Sequence, residues 1–291
     1  MAIRVYGNKP FAEPGSAARA EVDDTSFDGA WGRATFETVH DAMHRLASVG
    51  DHLLGLAAVT STPGITFAAW SLARPALEGL ADLYWVYDPT IDVRERVRRR
   101  HNLRLASLSE YHVMVAELDS DAAAKTADDI ATIGATAQSL GWVYKADTKP
   151  WGQIVASIGK PIPRIQVRVD ELVAGVTPIP KFGRLLHRMM SAVSHVQAHG
   201  FAAFVLDTES HPATPGLARA RLGLDLGSYA SIVGTLVLTT DVAMRRLIRY
   251  NGWSPTAWER ESEPAVRDFL GWLQEQQRGP VAGRATGRSG S

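Results

Sequence analysis

The chain has 291 residues, 45% of them hydrophobic, with 31 Lys+Arg against 31 Asp+Glu and no cysteine. That length supports one large core, and the zero net charge excludes a global attraction to nucleic acid or to an anionic membrane, so any basic surface must be local. The lack of cysteine excludes disulfides, thiolate nucleophiles and cysteine-based zinc sites, and fits a reducing cytoplasm.

Residues 1–30 are aperiodic and rich in Pro, Gly and Ala, which predicts a loose arm without a signal-length apolar stretch. Over 34–60 the apolar residues Phe36, Val39, Met43, Leu46, Ala47, Leu53, Leu54 and Ala57 recur at three-to-four spacing and predict a helix. "STPG" at 61–64 breaks it, with Thr62 a candidate N-cap and Pro63 at the first helical position of a second helix that runs to about 87 from about 64. Pro75 inside that helix should kink it or cost an inner hydrogen bond. Further helices are expected at 91–118, at 121–140 closed by Gly141, from Pro180 to about His199 closed by Gly200, at 223–250 and at 262–277. Between them, 142–180 is punctuated by five prolines, with a short helix near 165–174. The stretch after Gly200, "FAAFVLDTESHPATPG", reads as a loop with a short extended piece.

The sum is an all-α helical bundle of six to seven helices with a Pro-rich irregular segment near 142–180. It forms a single helical domain over 31–278, followed by a disordered tail over 279–291. Two uncharged runs are rejected as membrane spans: Leu53 to Ala73 is broken by "STPG", and Leu226 to Thr240 is too short for the roughly 20 apolar residues a span needs.

Four groups of residues carry possible chemistry. In "SAVSHVQAHG" a continuous helix would put Ser191, His195 and His199 on one face with Arg188 alongside, and two imidazoles at i, i+4 can share a metal ion. The alternative is a core histidine at 195 and a second one at a helix end, where the dipole favours a cation. Glu37, His40, Asp41 and His44 on the first long helix contain a single ExxH, whereas a di-iron bundle needs two, so they read as a solvated stripe. Asp51 and His52 lie between apolar turns, so one of them should point inward. Arg74 and Glu78 form an i, i+4 pair on an almost wholly apolar helix. They are either its wet face or a buried pair that must be mutually satisfied. In "RERVRRRHNLR" Arg96, Arg100 and Arg104 share a face with Arg99 beside them, a stripe that can neutralise phosphates or simply be solvated. No glycine-rich phosphate loop, nucleophile elbow or HExxH motif is present, so no cofactor is implied.

"DHLLGLA", "SLARPALEGLADLYWVYDP", "RERVRRR" and "SAVSH" resemble a group of actinobacterial all-helical proteins with no assigned activity. Its pattern is matched here by Asp51 and His52, Arg74 and Glu78, Asp88 and Pro89, and Ser191 and His195. The histidine is usually followed by a small residue, whereas here Val196 follows it. More distantly, "RMMSAVSH" is similar to the arginine–histidine signature of HEPN domains. Many of these are dimeric, metal-independent ribonucleases, and the matching residues are Arg188 and His195. That resemblance implies an RNA partner and a homodimer, with His195 as acid/base, Arg188 stabilising phosphorane charge, and Arg96, Arg99, Arg100 and Arg104 holding the strand. Two other readings stand beside it. One is a non-enzymatic scaffold in which Asp51 or His52, Arg74, Glu78, Ser191 and His195 form a register-fixing polar centre. The other is a histidine metal site at His195 and His199.

Overall fold

The computed structural model describes residues 12–277 apart from 32, 63–66, 203, 211–217 and 224–225. The chain is an all-α bundle with more helical segments than the six to seven expected: α1 (Ala17–Val22), α2 (Asp28–Trp31), α3 (Ala34–Thr60), α4 (Ala68–Val86), α5 (Val93–Ala116), α6 (Ser120–Ser139), α7 (Ile165–Ala174), α8 (Phe182–Ser194), α9 (Ala198–Ala202), α10 (Leu226–Asn251) and α11 (Pro255–Gln277). Two antiparallel hairpins interrupt it: β1 (Tyr144–Thr148) with β2 (Ile154–Ile158), and β3 (Val205–Ser210) with β4 (Ala218–Leu222). Among the described residues no helix is long and apolar enough to cross a membrane.

α4 is the axis of the bundle. Its small residues Ala69, Ala73, Ala76 and Ala81 are buried alongside Leu77 and Leu80, so neighbouring helices approach closely from several sides. It packs against α3, α7, α8 and α10, with Val169, Leu172, Met190, Phe204, Ile232 and Leu236 closing one core. A second core joins α3, the end of α4, α5 and α10 through Val39, Leu46, Tyr87, Leu103, Leu247 and Trp253. α4 runs unbroken through Pro75, whose ring nitrogen has no proton to donate to the carbonyl one turn earlier.

Local signals set most helix ends. Asp92 caps α5 by accepting the Glu95 amide at 2.8 Å, and Asp119 caps α6 by accepting those of Asp121 and Ala122. Gly141 closes α6 at φ +76, with the Trp142 amide bonded to the Ala137 carbonyl and the Gly141 amide to that of Gln138. This Schellman arrangement recurs at the end of α10, where Gly252 has φ +71. Thr62 does not cap the next helix as expected, because its hydroxyl donates back to the Ala58 carbonyl at 2.9 Å. Pro63 lies outside the described residues.

Three expectations are corrected. The arm is not loose throughout: from Ala12 onward it folds against the core, with Ala12, Ala18 and Phe27 buried and the Glu13 amide bonded to the Asn251 carbonyl. Residues 1–11 and the tail lie outside the described residues. The Pro-rich segment holds a hairpin as well as α7, and Asn102 of α5 fixes it by donating to and accepting from the Ile158 backbone at 2.9 and 2.7 Å. Finally, α8 stops at Ser194 rather than at His199. His195 is its C-cap, and the β-branched Val196 takes the left-handed position at φ +56. Gly200 is not a helix stop. It lets α9 lie on α8, since a Cβ there would sit 2.8 Å from the Ala192 carbonyl carbon and 2.9 Å from the Val193 nitrogen.

Candidate functional site on helices α4 and α8

The Gly183, Leu186, His187 and Met190 spacing turns one side of α8 into the core, all four being buried. His187, 2% exposed, reaches across to α4, where its Nε2 lies 2.8 Å from Glu78 Oε1. The same carboxylate accepts from Arg74 Nε at 2.8 Å along α4. Arg74 then extends its Nη1 to within 3.1 Å of His195 Nε2. The result is a four-residue chain, His187 to Glu78 to Arg74 to His195, that ties the buried start of α8 and its exposed end to one turn of α4.

Burial alone would raise the Glu78 carboxyl. The hydrogen bonds from His187 and Arg74, with the charge of the Arg74 guanidinium, outweigh it, and the group is held below its ordinary value. Arg74 and Glu78 keep 24% and 28% side-chain exposure, so the pair sits half in and half out of the core. His187 Nδ1 is buried without a hydrogen bond among the described residues.

The expected site is therefore only partly assembled. Arg74, Glu78 and His195 come together. Ser191 supplies a backbone carbonyl to the His195 amide. Asp51 and His52 do not join them; Asp51 is exposed on α3. Arg188 on α8 and His195 at its C-cap are both exposed. His195 and His199 are not one turn apart on a common helix, because the chain reverses hand at Val196 between them, which removes the premise of a two-histidine ligand pair. Among the described residues no three His, Asp or Glu side chains converge as a metal site. His187 is the residue that sequence reasoning missed. Its signal was the i, i+3, i+4, i+7 pattern from Gly183, which places it among core positions.

The arginine stripe of α5 is also corrected. Arg96 is 3% exposed, paired with Glu21 at 3.1 Å, donating to the Val86 carbonyl and lying 4.6 Å from the Tyr250 ring centroid. Arg99 bonds Glu95 and the Trp85 carbonyl, and Arg98 bonds Glu95 and the Ile158 carbonyl. Arg100 is 5% exposed and bridges Glu37 and Asp41, each at 2.7 Å, so those two carboxylates of the expected solvated stripe have a structural partner. Only Arg104 keeps substantial exposure, 3.9 Å from Glu37. Guanidinium groups committed to internal carboxylates and carbonyls cannot also neutralise phosphates.

A second charged feature opens where α3, α4 and α5 meet, as a cavity of about 310 Å³ bordered by Asp41, Arg45, Asp82, Arg100 and Arg104. Asp82 is 8% exposed and takes Arg45 at 2.6 Å and Arg168 at 2.8 Å, so its charge is balanced from α3 and α7. Close by, His101 stacks on Trp31 with ring centroids 3.9 Å apart. Burial, aided by the charges of Arg100 and Arg104, holds its imidazole well below its ordinary pKa of 6.5.

Comparison with protein-family models, with curated proteins and with solved structures gave no significant match to this chain.

Proposed function

We propose that the protein is a non-enzymatic helical scaffold, an interaction protein in which the His187–Glu78–Arg74–His195 chain fixes the register of α8 on α4. The observation that carries this reading is the double acceptance at Glu78 Oε1, from Arg74 on its own helix and from buried His187 on the next. Buried polar groups that satisfy one another across a helix interface specify one packing among several of similar apolar area. The commitment of Arg96, Arg98, Arg99 and Arg100 to internal partners supports the same reading.

A second reading keeps the HEPN-like resemblance: a metal-independent ribonuclease, working as a homodimer on RNA, with Arg188 and His195 as its catalytic pair. One observation favours it. Arg188 on α8 and His195 at its C-cap are both exposed, and the Arg74 guanidinium 3.1 Å from His195 would help orient the imidazole.

An RNA digest in EDTA, run beside urea unfolding, separates the two. The scaffold reading expects no cleavage by the wild type. It also expects a loss of about 1–3 kcal/mol in His187→Ala, the cost of disrupting a buried hydrogen-bonded group, and near-wild-type stability in Arg188→Ala. Cleavage by the wild type that disappears in both Arg188→Ala and His195→Ala, with the fold intact, overturns it in favour of the ribonuclease.

A further inference from the structure

α3 and α10 both pack on α4, and α11 packs on α10. The three outer helices leave a groove between them. Its main part has a volume of about 530 Å³, with walls that include Leu53 and Leu56 from α3, Val233 and Leu236 from α10, and Trp258 and Val266 from α11. A second cavity of about 330 Å³ continues it along α3 toward Leu46 and Leu54, sharing Leu53, Thr240 and Trp258 with the first. Leu54, 72% exposed, stands at that end. The main volume lies within the range of small-molecule pockets, about 300–1,000 Å³.

Two features of the groove say what it would take. The first is Thr240. On α10 the hydroxyls of Ser231, Thr235 and Thr239 each donate to the carbonyl four residues earlier. Thr240 Oγ1 does not, and it is buried without a hydrogen bond among the described residues. Thr240 itself is only half-buried where the two cavities meet, so a turn about χ1 brings this shielded, unpaired hydroxyl to the groove, where an entering group can bond to it. The second is charge. The carboxylate bordering the main volume, Asp241, is charge-balanced by Arg245 Nε at 2.7 Å and also accepts from Trp258 Nε1 at 2.8 Å and Ser262 Oγ at 3.3 Å. Among the described residues no lysine or arginine borders the main volume. A carboxylate or phosphate would therefore find no unpaired cation there, while a cation would find the Asp241 charge already balanced by Arg245.

We infer that the groove between α3, α10 and α11 is a binding site for a neutral, largely apolar small molecule bearing one hydrogen-bonding group, which Thr240 Oγ1 receives. This site is separate from the α4/α8 cluster and does not depend on the role assigned to it.

The test uses the full chain with Nile red as a neutral fluorescent probe and with 1-decanol and decanoate as competitors of equal length, one neutral and one anionic. Nile red emission should rise and shift to the blue on binding, and 1-decanol should displace it at concentrations at least tenfold below those needed with decanoate. Thr240→Val removes the hydroxyl at nearly constant volume and should weaken 1-decanol about three- to tenfold, the worth of one hydrogen bond, while leaving Nile red displaceable. Ala57→Trp and Ala265→Trp fill the groove from two exposed positions that the core does not need. Both should abolish probe binding with an unchanged circular dichroism spectrum. Absence of probe binding to the wild type, binding that survives both tryptophan variants, displacement by decanoate as effective as by 1-decanol, or a Thr240→Val protein that binds 1-decanol as the wild type does would each overturn the assignment.

Discussion

Replacing Val196 by glycine and by alanine tests the end of α8, because the backbone there reverses the usual ranking of the two residues. In ordinary helix or strand backbone, glycine is less favourable than alanine by about 0.5–1 kcal/mol through the entropy of the unfolded chain. At φ +56 any Cβ crowds the following carbonyl, a cost of roughly 1–2 kcal/mol that only glycine escapes. The net expectation is that Val196→Gly is more stable than Val196→Ala by about 0.5–1 kcal/mol. The valine side chain is 74% exposed, so little apolar burial is lost in either variant. Relative to the wild type, Val196→Gly should be equal or slightly more stable, since strain relief and lost chain entropy partly offset. The molecule carries its own control: α6 and α10 end in the same hydrogen-bond pattern with Gly141 and Gly252 in this position. Urea midpoints compared at a common slope give the difference, and the melting temperatures of the two variants should differ by about 2 °C for a chain of this length. If Val196→Ala proves as stable as Val196→Gly or more so, residue 196 does not hold a left-handed backbone. His195 and His199 could then lie on one continuous helix after all.

The close contact of α9 with α8 is checked by Gly200→Ala. The added methyl group would meet backbone atoms of Ala192 and Val193 at 2.8–2.9 Å. Urea unfolding should therefore register a loss of about 1–3 kcal/mol, as for other overpacked positions. For His101, burial lowers the folded-state pKa below the ordinary 6.5, so the folded state binds fewer protons than the unfolded chain just below that pH. The stability this histidine contributes is complete above pH 6.5 and falls by about 1.4 kcal/mol per pH unit below it, until the folded value is reached. Its ring-proton NMR signal should stay fixed as the pH drops through 6.5, and a midpoint at or above 6.5 would contradict the burial argument.

The sequence by itself determined the helical class and most helix positions, because those signals are local. The apolar period over Ala34–Thr60, the cap at Asp92 and the glycine at 141 act within a turn of where they stand, and the helix near 165–174 was legible on the same grounds. The i, i+4 pairing of Arg74 with Glu78 was legible too, as was its meeting with His195 from a late helix. What only the tertiary structure decided is which charged faces are dry. Arg96 and Arg100 look like a solvated or phosphate-binding stripe until Glu21, Glu37 and Asp41 arrive from segments 59 to 75 residues away, a pairing no local window contains. Nor could local rules place a β-branched residue at the left-handed end of α8. There the packing of Gly200 against Ala192, together with the hydrogen bond from the Gln197 amide to the Ala192 carbonyl, holds a conformation that valine alone would avoid.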